Sequence, residues 1–190
     1  AESQAGKSTL AMALMNLRAR NGHQLIILNP HASPNSYGGL RQIQSYSDIQ
    51  NAMQALLAEL EQRKQQASAG SQQFQPLTVV VDETPDLLAR IASEDGTRTV
   101  PKVPIARRFV AEMLMQAAKY RMHVILLTQS TQAKPLGLEG QLDVLDNLLW
   151  LALGERAIEE NAAATNQHRP AVLLKNRQAF LADISPALAL

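Results

Sequence analysis

Three groups of residues in this chain have the types and spacing for phosphate chemistry. The first is the opening stretch Ala1-Glu2-Ser3-Gln4-Ala5-Gly6-Lys7-Ser8-Thr9, a small residue and four spacers before Gly-Lys-Ser-Thr. A glycine beside the lysine lets the backbone wrap around phosphate oxygens, with the N–H groups of Ser3, Gln4, Ala5 and Gly6 turned inward. Lys7 brings a positive charge to the β- and γ-phosphates of a nucleotide, and the Ser8 hydroxyl, with Thr9 next to it, is a magnesium ligand of the right hardness. The apolar run from Leu10 to Leu17 predicts a helix whose positive end faces the phosphates. Ala1 stands where such loops usually carry glycine, and one methyl there tightens the loop or weakens binding. The plainer alternative is an ordinary helix start capped by serine, but Gly-Lys-Ser-Thr at that place is a demanding match.

The second group is Asp82-Glu83, directly after the apolar Leu77 to Val81 (LTVVV). A carboxylate at the lip of a buried strand can bind magnesium, directly or through water, opposite Ser8. Glu83 can then orient or deprotonate the water that attacks a γ-phosphate. The alternative for the pair is a capping role before a turn at Pro85. The third is Gln129, at the end of the apolar run His123 to Thr128. Its amide can contact the γ-phosphate or the attacking water, or simply bond to backbone.

These residues converge only if strands and helices alternate. The predicted elements are a helix from Lys7 to about Asn21 with Leu10, Ala13, Leu14 and Leu17 on one face, and a strand Gln24 to Leu28 followed by a Pro34 to Gly39 loop. Next come a helix capped by Ser47 with Ile49, Met53, Leu56, Leu57 and Leu60 on one face, a polar loop Ala67 to Gln75, and the strand Leu77 to Val81. A loop Ser93 to Pro104, a helix Ile105 to Arg121 and a strand His123 to Thr128 follow. Asn147 to Leu153, Ala171 to Leu174 and Gln178 to Asp183 are further strands, the last two joined by a Lys175-Asn176-Arg177 turn. Such alternation implies an α/β fold, a mostly parallel sheet covered by helices on both faces. Ligands in such sheets sit beyond the carboxyl ends of the strands, where Lys7, Asp82, Glu83 and Gln129 fall. A phosphate loop normally follows a buried strand, so a first strand is expected ahead of Ala1, in a longer protein.

The chain resembles the FtsK/HerA-like ATPases, a group of DNA translocases and conjugative coupling proteins. The resemblance is carried by Gly6-Lys7-Ser8-Thr9, Leu60-Glu61-Gln62-Arg63, Val79-Val80-Val81-Asp82-Glu83 with Asp86-Leu87-Leu88, and Met122-His123-Val124-Ile125-Leu126-Leu127-Thr128-Gln129. Asn29-Pro30-His31 is similar to that group's Asp-Pro-Lys. It implies a RecA-like P-loop core, ATP and magnesium as cofactors, and a hexameric ring that moves double-stranded DNA. Departures stand at Ala1, at Ser130 where the group has arginine after Thr-Gln, and at Ala118. Arg156, Arg107 and Arg108 are candidates for the arginine that completes a neighbour's site, each also readable as a solvated surface charge. Arg98, Lys102 and Lys134 are candidates for sequence-independent contacts to DNA phosphates.

The 190 residues are of ordinary size for a single domain, residues 1–190, and 46% of them are apolar, enough for a core. A net charge of +1 gives no global case for nucleic acid, so any basic surface is local. There are no cysteines, which excludes disulfides and thiolate metal sites and fits a cytoplasmic protein. No apolar run is long enough to cross a bilayer. His23, His31, His123 and His168 lack metal-ligand spacing. Three functions compete: an ATP-driven motor on DNA, a nucleotide-gated assembly switch that binds a protein partner without translocation, and a small-molecule kinase. The acid pair suits water activation better than transfer to an acceptor.

Overall fold

The run Leu77–Val81 has no polar side, so it must be covered from both faces. A computed structural model of the chain describes residues 7–32, 36–95, 105–128, 136, 138, 150–153, 171–175 and 178–181, and in it all five residues of this strand are buried. The elements are α1 (Lys7–Arg20), β1 (Gln24–Leu28), a 3-10 turn (Ser36–Gly39), β2 (Gln42–Ile43), α2 (Tyr46–Ser68), β3 (Leu77–Val81), α3 (Thr84–Asp95), α4 (Ile105–Met115), a second 3-10 turn (Ala117–Tyr120), β4 (Met122–Leu126), β5 (Trp150–Leu153), β6 (Ala171–Lys175) and β7 (Gln178–Leu181). Four strands form a parallel sheet in the order β2-β1-β3-β4. β3 pairs along its whole length with β1, Gln24 opposite Leu77 through Leu28 opposite Val81, and with β4, Leu77 opposite Met122 through Val81 opposite Leu126.

The two-residue alternation of the strands divides the core. Leu28, Val79 and Val81 join Ile49, Met53 and Leu60 of α2, Leu87 and Ile91 of α3, and Phe109 of α4. Ile27 and Val80 point the other way, into a smaller cluster with Ala11 and Met15 of α1 and with Tyr37. Helices therefore cover both faces of a parallel sheet, as the alternation of elements implies.

Several boundaries differ from expectation. Leu10 and Ala13 of the expected α1 face are buried, together with Ala11 and Met15, whereas Leu14 and Leu17 are 36% and 49% exposed. Leu10 to Met15 are apolar all round the helix, so the sheet, not the periodicity, selects the buried side. Ser45 rather than Ser47 caps α2, accepting from the Asp48 N–H at 3.1 Å, and the helix runs on through Ala67 and Ser68. Thr84–Asp95 is a helix rather than a turn: Pro85 lacks an N–H, but the first helical turn does not need one. This helix takes Ser93 to Asp95 from the expected loop. β2 is an added edge strand, too short to show a period. The expected helix to Arg121 ends as α4 plus a 3-10 turn, with Arg121 left-handed at φ 58, and β4 begins at Met122 and ends at Leu126. β5, β6 and β7 make a separate antiparallel sheet, and β6 and β7 pair as the sequence predicts. Asn147 and the Asn176-Arg177 part of the turn lie outside the described residues.

Arg63 locks the amino ends of the strands to α2. Its side chain is buried. Nε donates to Glu59 Oε1 at 2.7 Å, and one Nη donates to the carbonyls of Gln75 and Tyr120 at 2.8 and 2.9 Å. The guanidinium carbon also lies 5.6 Å from the Phe74 ring centroid. Lysine cannot reach this fan of acceptors. Arg63→Met orphans two carbonyls and is expected to cost about 3 kcal/mol, each unsatisfied buried group costing roughly 1–3 kcal/mol. Urea denaturation measures it, and a loss well below about 1 kcal/mol refutes the clamp.

At the same end, the rings of His23 and His123 lie 5.4 Å apart and His23 Nδ1 is 3.0 Å from Thr78 Oγ1. Burial, then the charges of Arg18 and Arg121, lower the pKa of His23; burial, Arg18, His23 and Arg121 lower that of His123. The folded protein thus holds both imidazoles neutral, and below the ordinary 6.5 the unfolded chain takes up protons first. Stability present above that value is lost as pH falls toward the lowered folded values. Thermal melts between about pH 7 and pH 5 should show a falling Tm, with a shallower slope in His123→Gln.

Candidate functional site

The carboxyl end of β3 is where the chemistry-bearing side chains meet. The ladder continues one step past the strand. The Asp82 N–H donates to the Leu28 carbonyl at 2.9 Å, and the Thr84 N–H donates to the Leu127 carbonyl at 3.1 Å. Thr84 Oγ1 also donates to the Val81 carbonyl at 3.0 Å. Glu83 lies between these anchors with φ 47, a left-handed conformation for a residue with a Cβ. That single strained residue turns the chain straight from β3 into α3.

Asp82 has both carboxylate oxygens engaged. Oδ1 accepts the Glu83 N–H at 2.9 Å, and Oδ2 accepts the Tyr37 hydroxyl at 2.6 Å. The Ser8 hydroxyl, in the first turn of α1, is the phenol's other polar neighbour. Tyr37 thus stands between the start of α1 and the end of β3. Burial pushes the pKa of the phenol well above the usual 10.0, and the hydrogen bond and charge of Asp82 push the same way. The Ser8 hydroxyl pulls against them and the Glu83 charge adds to the rise. Tyr37 therefore stays a hydroxyl, and a donor to Asp82, at any working pH.

Beside this group lies a second polar cluster on the turn after β1. Asn29 is buried; its amide donates to Gln42 Oε1 at 2.9 Å and its carbonyl oxygen accepts the His31 N–H at 3.1 Å. Gln42 in turn donates to the Ser36 carbonyl at 3.1 Å. His31 Nε2 is 3.0 Å from Asp86 Oδ2, and the Tyr46 hydroxyl is 3.4 Å from the same oxygen. This network fixes the turn that carries Tyr37.

Of the residues singled out in the sequence, the structure brings Ser8 and Asp82 to the Tyr37 hydroxyl, bonded to it in the case of Asp82, with Glu83 adjoining. Lys7 opens α1, and Thr9 is exposed on its first turn. Ser3, Gln4, Ala5, Gly6 and Gln129 lie outside the described residues, as do Arg98, Lys102, Lys134 and Arg156. Arg108 is occupied on its own helix, Nε donating to Glu112 Oε1 at 2.7 Å. Tyr37 escaped the sequence reading. Its trace there was slight: an aromatic next to Gly38-Gly39 in a loop after a buried strand.

Ser8 and Asp82 offer a hydroxyl and a carboxylate, hard oxygens of the kind magnesium takes. That ion commonly uses one or two protein oxygens and completes its shell with phosphate and water, so the pair fits a magnesium–nucleotide without a third acid. No known protein family, curated protein or solved structure matches the chain. Among the described residues no helix is long and apolar enough to cross a membrane.

The strain at Glu83 gives a test of what its side chain is for. Glu83→Gly relieves the left-handed conformation, worth about 1–2 kcal/mol, against a smaller unfolded-state cost. The expected outcome is a net stability gain of up to about 1 kcal/mol in urea denaturation. A large loss means that the Glu83 side chain holds the fold rather than serving a site.

Proposed function

We propose that the chain is a magnesium-dependent ATPase domain with a RecA-like P-loop core, working as an oligomeric ring, hexameric by resemblance, on double-stranded DNA without sequence preference. The observation that carries the reading is that Ser8, in Gly6-Lys7-Ser8-Thr9 at the start of α1, and Asp82, at the end of β3, are both polar neighbours of the Tyr37 hydroxyl, which donates to Asp82 at 2.6 Å. In this reading, the loop Ser3 to Thr9 holds the phosphates and Lys7 neutralises the β- and γ-phosphates. Ser8 and Asp82 hold magnesium, which when bound neutralises phosphate charge. Glu83 orients and deprotonates the attacking water, and Gln129 meets the γ-phosphate. The positive end of the 14-residue α1 faces the same point.

Binding and turnover separate the roles. Lys7→Ala is expected to abolish ATP binding, measured by a fluorescent nucleotide. Glu83→Gln is expected to bind ATP and lose turnover by about 100-fold or more, as removal of a general base does. Full phosphate release by Glu83→Gln refutes the catalytic assignment. Stimulation of wild-type turnover by duplex DNA supports the motor; turnover with no displacement of a streptavidin block from DNA supports the assembly switch instead.

A further inference from the structure

Tyr37 reaches the site from the opposite side to solvent. Its ring is 3% exposed and belongs to the cluster of Ala11, Met15, Ile27 and Val80. Ser8, by contrast, is exposed and Asp82 is half-buried. The backbone that delivers the ring is strained: Tyr37 has φ 53, ψ 37, and Gly38 follows at φ 62. A Cβ added at Gly38 would come to 3.4 Å from Met12 Cε, so the turn lies within contact distance of α1. A tyrosine held left-handed, with its ring in the core and its hydroxyl between two candidate ligands, is over-determined by its surroundings.

The direction of the hydrogen bonds decides what that hydroxyl does. The Asp82 carboxylate only accepts, so the Tyr37 hydroxyl donates to it. An aspartate tied at Oδ1 by the Glu83 N–H and at Oδ2 by Tyr37 cannot rotate away.

We propose that Tyr37 is the positioning residue of the magnesium site, its hydroxyl donating to Asp82 Oδ2 and so fixing the carboxylate that would share one cation with Ser8. The inference rests on the nucleotide-site reading above. Partners that fix a metal's ligands are commonly worth about 10–100-fold in affinity. Removing only the oxygen, in Tyr37→Phe, leaves the ring to fill the same cluster.

The test compares binding of mant-ADP to the whole chain in EDTA and in magnesium, for wild type, Tyr37→Phe, Asp82→Ala and the double variant, with thermal melts of each. Tyr37→Phe is expected to cut the magnesium-dependent tightening by about 10–100-fold. Its affinity in EDTA should stay within about twofold of wild type, and adding it to Asp82→Ala should cost less than about threefold more, because it acts through that carboxylate. Gly38→Ala, which strains the left-handed turn and keeps the hydroxyl, should lose part of the same factor. A Tyr37→Phe protein that keeps the full magnesium effect, or gains one, overturns the proposal. So does an equal loss with and without metal, the mark of a packing role. Wild type that binds no mant-ADP under either condition sinks the nucleotide-site reading itself, a result distinct from both.

Discussion

β3 is paired on both edges and covered on both faces, and the site is referenced to its carboxyl end. Backbone hydrogen bonds run from Asp82 to Leu28 on one side and from Thr84 to Leu127 on the other. Displacing Asp82 breaks this ladder as well as the Val79 and Val81 packing, each buried valine being worth about 1.5–3 kcal/mol. The acid pair therefore sits at a strand end anchored from both sides. Tyr37 and Ser8 come to it from a turn and a helix start, elements that can adjust.

Backbone strain gathers at the same end. Among the described residues, the non-glycines with positive φ are Tyr37, Glu83 and Arg121, and the first two flank Asp82. Each costs about 1–2 kcal/mol. Burial of the Tyr37 ring is of the same size and opposite sign. At Glu83 the Thr84 bonds to Leu127 and Val81 hold the conformation in place. Arg121, at the other end, closes a 3-10 turn and needs no ligand to account for it.

How much of this was legible in the sequence follows from what periodicity can and cannot encode. β1, β3 and the hairpin of β6 and β7 were readable because short β-branched runs between polar stretches have few other homes. The buried face of α2 was readable because Ile49, Met53, Leu56, Leu57 and Leu60 recur at helical spacing. α1 was readable as a helix but only half of its buried face was, Leu10 and Ala13 and not Leu14 and Leu17, since an all-round apolar segment leaves the choice to whatever it meets. α3 was hidden by Pro85, which serves a turn and a helix start equally well. Asp82 and Ser8 stood out by chemistry. Tyr37 did not, because its part depends on a left-handed backbone and on two partners 29 and 45 residues away in the chain, neither of which leaves a local mark.

The two ends of the sheet also differ in charge, and this bears on what the site can hold. Arg18, Arg20, Arg63, His23, Arg121 and His123 lie toward the amino ends of the strands and the carboxyl end of α1, where a helix dipole favours cations. Asp82, Glu83 and Asp86 lie at the opposite end, with the positive start of α1. A bare phosphate drawn to that helix start meets two carboxylates, and the dipole, equivalent to about half a charge, does not outweigh them. A divalent cation between the acids and the phosphate reverses the balance, being attracted to both. In the nucleotide-site reading, this charge pattern favours a metal-complexed phosphate over a free one, with Lys7 and the helix start still drawing the bare anion, and the hold of Tyr37 on Asp82 bears on the metal-dependent part of binding alone.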